Sequence, residues 1–188
     1  MASFCALFDA CVLYPYSVRD ILLELSNADL FRGRWSDKIL DECFAALEKN
    51  LPDAKDKLMR TRELMVLHAE HASIEGYQYL EEALSLPDSG DNHVLAAAIH
   101  GRADVIVTYN LKDFPADLLS PYGIEAQHPD EFLSHLLDLD AGKVCGAIRT
   151  CRARLQNPAM SVGEYLEALQ KRELLEFVDG LKHLSDAL

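Results

Sequence analysis

Val105-Ile106-Val107-Thr108 is an unbroken β-branched run, and no other segment narrows the fold as much. A short stretch apolar on both faces must be buried on both, which is the situation of a parallel strand covered by helices. Cys5-Ala6-Leu7-Phe8 reads the same way. Around these runs apolar residues recur at helical spacing. Ile21, Leu22 and Leu25 follow Ser17-Val18-Arg19-Asp20, which has the form of a capping box. Ile39, Leu40, Cys43, Phe44 and Leu47 predict a second helix opened at Trp35-Ser36, and Asp53 caps a third running to about His71. Residues 77–86 carry no clear period, and Pro87-Asp88-Ser89-Gly90 is a turn cluster. Residues 91–100 are helical with Gly101 as the cap, and 115–119 form a short helix. Ile124-Glu125-Ala126 is a last strand, and Pro129 begins a helix with proline in its first turn. Strands alternating with helices predict an α/β domain over residues 1–140, a parallel sheet flanked by helices.

After Asp140 the pattern changes. No strand is readable, and helices are expected over 141–155, 161–170 and 172–188. Asn157-Pro158 breaks the first from the second, and Ser161 with Glu164 makes another capping box. Leu166, Leu169, Leu174, Leu175, Phe177, Val178 and Leu181 need apolar partners, so 141–188 is expected to be a small all-helical C-terminal extension rather than a loose tail.

Composition limits the function classes. Of 188 residues 49% are apolar, enough for a real core, and no run approaches the length that crosses a bilayer. No basic segment and apolar core suggest export, so a cytoplasmic chain is expected. The cysteines (Cys5, Cys11, Cys43, Cys145 and Cys151) are odd in number and mostly sit in buried patterns, which predicts free thiols. The formal charge of −13 excludes nucleic-acid binding through a general basic field. Any such contact must be local, through a bound metal and a few cations.

Four acids stand at element boundaries. Asp9 directly follows the first buried run and Asp113 follows the 105–108 run; ligands of open α/β sheets bind outside the carboxyl ends of the strands. A lone carboxylate desolvated at such a place is costly, so Asp9 is either a turn residue accepting backbone N–H groups or a functional acid. Asp91 precedes Val94 and Leu95 by three and four residues, so it projects from the buried side of its helix. It can serve as the helix cap, but Asp88 or Ser89 can take that role instead. Asp41 and Glu42 flank the apolar face of their helix about equally, and periodicity does not choose between them. Thr108 and Asn110 add neutral oxygens beside the second strand end, able to orient carboxylates or water. Carboxylates gathered in one crevice repel unless a cation neutralises them, and hard oxygen donors suit Mg²⁺ or Mn²⁺.

Other motifs carry less. His68-x-x-His71 lacks a further ligand at metal spacing, and Cys145-x₅-Cys151 lacks the spacing of a zinc site. Glycine-rich nucleotide motifs and a serine nucleophile elbow are absent from the sequence. A haloacid-dehalogenase-type phosphatase needs a second Asp two residues after the first, where Cys11 stands.

The segments 8–15 (FDACVLYP), Ile39-Leu40-Asp41-Glu42-Cys43, 88–98 (DSGDNHVLAAA) and 105–115 (VIVTYNLKDFP) together resemble PIN-domain ribonucleases, most of all the VapC-type toxins of bacterial toxin–antitoxin pairs. The resemblance covers about residues 4–140, and the helical tail is similar to the C-terminal extension of a longer VapC-like subgroup. It implies a parallel sheet between helices and Mg²⁺- or Mn²⁺-dependent hydrolysis of RNA. It also implies a small antitoxin partner and a homodimer. Asp9, Glu42 and Asp91 are implied as the metal-binding acids, which selects Glu42 over Asp41. Asp113 is carried over as the fourth acid and Asn110 as a lesser contact, because many members have Asp where this chain has Asn110. Arg19, Arg32 and Arg34 are candidates for the RNA backbone, with surface solvation the plainer role. The competing reading is a non-catalytic PIN-like interaction module whose acids serve as caps.

Overall fold

The computed structural model describes residues 4–68, 71–156 and 158–188. β1 (Cys5–Phe8) leads through α1 (Ala10–Leu13) and α2 (Tyr16–Asn27) to β2 (Arg32–Ser36). Then come α3 (Asp37–Asn50), α4 (Lys55–His68), β3 (Ser73–Ile74), α5 (Asn92–His100) and β4 (Val105–Val107). α6 (Ala116–Leu119) and β5 (Glu125–Gln127) complete the sheet, and α7 (Pro129–Leu139), α8 (Ala141–Arg154), α9 (Val162–Gln170) and α10 (Leu175–Lys182) follow.

The strands form one five-stranded sheet in the order β3-β2-β1-β4-β5, and every pairing is parallel. The α/β expectation is therefore met. β1 and β4 are wholly buried, as their uninterrupted apolar character requires. The chain builds outward from β1 on one side, then returns to lay β4 on the other, with Leu7 opposite both Arg34 and Ile106. That reversal makes the β1/β4 boundary a switch point, and open α/β sheets place their ligands at such points, outside the carboxyl ends of the strands.

A cluster of aromatic rings closes the core beneath the sheet's other end. Phe31 meets Phe132 edge-on at 5.1 Å and Phe8 at 5.9 Å, and stacks on Phe4 at 5.8 Å. Pairs at these separations and angles add attraction beyond the area they bury. Gly33 is required here, because a Cβ at that position would lie 2.8 Å from the Phe8 ring.

The C-terminal helices share this core. α8 contributes Val144, Ala147 and Ile148, and α10 contributes Phe177, Val178 and Leu181, all buried in one cluster with the strands. α8 packs on α2, and α10 on α7. α10 has no capping side chain of its own; Asp130 of α7 accepts hydrogen bonds from the Glu176 and Phe177 backbone N–H groups at 2.9 and 2.8 Å instead. The capping box at Ser161 and Glu164 is present.

Several expected boundaries shift. Trp35 lies in β2, not in a helix, and Ser36 is the N-cap of α3, accepting from the Ile39 N–H. The Ser17 capping box does not form, because Pro15 already starts α2 and leaves Ser17 inside it. Residues 52–54 make a 3₁₀ turn before α4, and His71 stands in a turn past the end of that helix. Residues 78–83 are 3₁₀. The third helix's predicted residues 69–70 and Asn157 of the predicted break lie outside the described residues. All five cysteines are free thiols. No helix among the described residues is long and apolar enough to cross a membrane.

Candidate metal centre

Asp9 sits one residue past β1 with extended backbone, and its own N–H still donates to the Val107 carbonyl of β4 at 3.1 Å. Its carbonyl, not its side chain, closes the first turn of α1. The carboxylate is thus not the turn's cap. It is 5% exposed, and Oδ2 accepts from the Thr108 hydroxyl at 2.7 Å and the Cys11 thiol at 3.0 Å. Oδ1 takes no donor from the protein among the described residues.

Thr108 is fully buried and itself accepts from the Asn110 N–H at 3.0 Å. The pair ties the two strand ends of the switch point to one carboxylate. Asn110 thus takes part through its backbone. Burial and the neighbouring Asp9 push the Cys11 thiol up to about 12, so it remains an S–H donor at neutral pH. It offers no thiolate to a soft metal.

Asp91 ends a 3₁₀ turn (Ser89–Asp91) and occupies the N-cap position of α5 without capping it. Asp88 accepts from the Gly90 N–H at 2.8 Å and holds that turn, which leaves the Asp91 carboxylate free to face the crevice. Burial raises its pKa first, then the charges of Asp9, Asp88 and Asp113, to about 6. Glu42 is raised too, by burial and by Asp9, Asp91 and Asp41, against a lowering from Lys38. The structure separates the two acids that the helical wheel could not. Asp41 is bound by Arg62 of α4, whereas Glu42 feels the field of Asp9 and Asp91. Asp113 closes the 3₁₀ turn Leu111–Asp113 and is half-buried, its charge reaching Asp91.

Asp9 and Asp91 thus act on Glu42, and Asp9 and Asp113 act on Asp91. Among the described residues, no three His, Cys, Asp or Glu side chains close into a ready-made metal cage. The donors suit a hard divalent ion, since they are carboxylate oxygens and the nearby thiol stays protonated.

His93 is a participant that sequence reasoning missed. It is 1% exposed, and Nε2 lies 3.0 Å from Glu42 Oε1. That approach is close but not aligned, because neither ring nitrogen has a hydrogen-bond partner. Burial, with Lys38, pushes its pKa down to about 4, so the ring is neutral and the contact is not an ion pair at neutral pH. The available signal was α5 itself, which is apolar on every side from Val94 to Ala98. A histidine in the first turn of such a helix is buried.

The arginine candidates move away from the crevice. Arg19 is buried, donates to the Leu13 carbonyl at 2.6 Å and lies over the Tyr16 and Phe44 rings, so it is neither solvated nor open to RNA. Arg32 starts β2 opposite Cys5, at the end of the sheet away from Asp9, and lines with Arg34 and His71 a separate hollow.

Comparison with known proteins agrees with this architecture. The PIN domain family model matches residues 5–112, and the VapC50 C-terminal domain model matches residues 129–183. A curated protein of Mycobacterium tuberculosis (strain ATCC 25618 / H37Rv) named "Putative ribonuclease VapC50" is 65% identical over 49 residues, 26% of this chain and 29% of that protein. The match thus spans less than a third of that relative's length. No solved structure matches the chain. A parallel sheet with acids at its switch point, matched by the PIN model over more than half its length and by the second model beyond it, places this chain in the PIN-domain family, with a VapC50 C-terminal domain at its end.

Proposed function

We propose that the chain is a Mg²⁺- or Mn²⁺-dependent endoribonuclease, the toxin of a type II toxin–antitoxin pair. In this reading residues 1–140 are the nuclease domain and 141–188 the helical extension. The observation that carries it is Asp9: a buried carboxylate, fixed by Thr108 between two strand ends, inside the field of Glu42 and Asp91.

Asp9, Glu42, Asp91 and Asp113 would hold the ion. When bound, a divalent ion lowers the pKa of a coordinated water and neutralises charge on the scissile phosphate. Thr108 and Cys11 keep Asp9 oriented by donating to Oδ2, leaving Oδ1 for the metal. His93, neutral and packed against Glu42, excludes water from that side. Asp91 must give up its proton before it can act as a ligand, so metal affinity falls as pH drops below about 6. With a net charge of −13, approach of RNA depends on a cation in the crevice.

The same charge suits an antitoxin that blocks the crevice with a basic side chain, and the chain acts as a homodimer. Free thiols throughout fit the reducing cytoplasm. Cleavage of a single-stranded RNA with and without Mg²⁺ or Mn²⁺, comparing the native chain with Asp91→Asn, tests the reading. Metal-dependent cleavage lost in the variant supports it. Equal cleavage by both chains, or none by either without antitoxin, defeats it.

A further inference from the structure

Residues 1–140, which carry the acids, hold 25 Asp and Glu against 11 Lys and Arg, so a polyanion meeting this crevice must be held by locally placed cations. The chain carries 31 Asp and Glu against 18 Lys and Arg, so where the cations stand matters more than their number. Tyr109 follows Thr108 directly, and its hydroxyl donates to the Arg172 carbonyl at 2.9 Å. Its ring meets His128 edge-on at 5.0 Å, and His128 Nε2 lies 3.8 Å from Glu173. On the far side of the same turn, Asp130 holds the first N–H groups of α10. Glu173 adopts φ +62° and is the left-handed residue that ends α9, with the Leu174 N–H returning to the Leu169 carbonyl at 3.4 Å. The turn 171–173 between α9 and α10 is therefore fastened by Tyr109 to the strand end that orients Asp9, and lies against His128 at the start of α7.

This turn presents Lys171 and Arg172, both exposed and without an ion pair among the described residues. The positive charge of Arg172 reaches the Tyr109 hydroxyl, which also feels Cys11. Lys112, likewise exposed, belongs to the 3₁₀ turn that ends in Asp113. The cations of this rim, Lys171 and Arg172, are thus joined through Tyr109 to the segment that carries Lys112 and Asp113.

We propose that the α9–α10 turn is a substrate-binding element: Arg172, with Lys171 and Lys112, grips phosphates of single-stranded RNA beside the acidic crevice. This rests on the nuclease reading and deepens it by assigning where the backbone is held. A guanidinium presents paired donors that match a phosphate. Tyr109 is a positioning residue, acting through the Arg172 main chain.

The test is fluorescence anisotropy of a labelled single-stranded RNA binding to the full chain over a salt series, with Ca²⁺ replacing Mg²⁺ and cleavage in Mg²⁺ assayed in parallel. Arg172→Ala should weaken binding about 10-fold and reduce the slope of log K against log salt by about 0.7, one single-strand phosphate contact. Arg172→Lys should restore the slope. Tyr109→Phe should weaken binding less and leave the slope unchanged. Lys182→Ala removes an equal charge from the other end of α10 and should change nothing. Native affinity and slope in Arg172→Ala, or an equal loss in Lys182→Ala, would overturn the proposal. Arg172-dependent binding without any cleavage sinks the nuclease reading and keeps the rim. Cleavage with Arg172-independent binding does the reverse, and absence of RNA binding by the native chain removes both.

Discussion

Two places in this molecule bring carboxylates together, and they resolve the repulsion differently. Between α2 and α8, Asp20 and Glu24 both bind one guanidinium, Arg154, with Asp20 at 2.8 Å. The chain supplies its own cation, and the result is a strut between the sheet domain and the C-terminal helices. In the crevice Asp9, Asp91 and Asp113 have no ion pair among the described residues, and the basic group nearest Glu42 is a neutral imidazole. Lys38, which the crevice feels, is engaged by Glu81 at 3.5 Å. A buried charge left unpaired, as at Asp9, costs stability, so the first arrangement reads as architecture and the second supports the proposal that the crevice takes an external cation.

The largest effect that separates the two regions is on catalysis. Asp91→Asn should lower metal-dependent RNA cleavage by about 100-fold or more, as loss of a charge-stabilising group at a reacting centre does. Arg154→Ala should leave cleavage at the native rate. Thr108→Val keeps the shape of the residue but removes the hydroxyl that orients Asp9; a loss of about 10–100-fold in metal affinity or activity follows, read from cleavage against Mn²⁺ concentration. Native cleavage by Thr108→Val would show that Asp9 needs no such support.

Stability should respond in the opposite sense. The folded chain holds the Asp91 proton up to about pH 6, above its ordinary 3.8, and so binds protons more tightly than the unfolded chain. Stability without metal is then greatest below about pH 4 for this group and declines as pH rises towards 6. The span corresponds to at most about 3 kcal/mol, and solvent screening at this half-buried site reduces it to about 1–2. Asp91→Asn should flatten that part of the pH profile in chemical unfolding and raise metal-free stability at pH 7 by the same amount. Arg154→Ala should do the converse, costing about 1 kcal/mol at pH 7 because it strands two carboxylates. A destabilised Asp91→Asn would return that residue to the role of a helix cap.

The sequence was most legible where burial is complete. β1 and β4 are apolar on both faces and announce themselves. β2 does not: Arg32-Gly33-Arg34 has neither alternation nor an apolar run, and it is a strand because Gly33 lets it lie against Phe8. β3 is only two residues long, too short for any period. At the site, Asp88 gave a reason to free Asp91 from capping, and the structure puts Asp88 on the Gly90 N–H. The choice of Glu42 was beyond helical periodicity because it depends on Arg62, a residue of another helix that takes Asp41. His93 and the thiol of Cys11 were missed for the same reason, since their significance lies in what the fold brings beside them.

The most direct test of the crevice as a cation site is the melting temperature of the native chain and of Asp91→Asn in metal-free buffer at pH 7, each titrated with Mn²⁺. A ligand that binds only the folded state stabilises it by mass action. The native chain should therefore start lower and climb as Mn²⁺ is added, while Asp91→Asn starts higher and barely moves. Equal responses from the two, or no response from the native chain, would contradict the account.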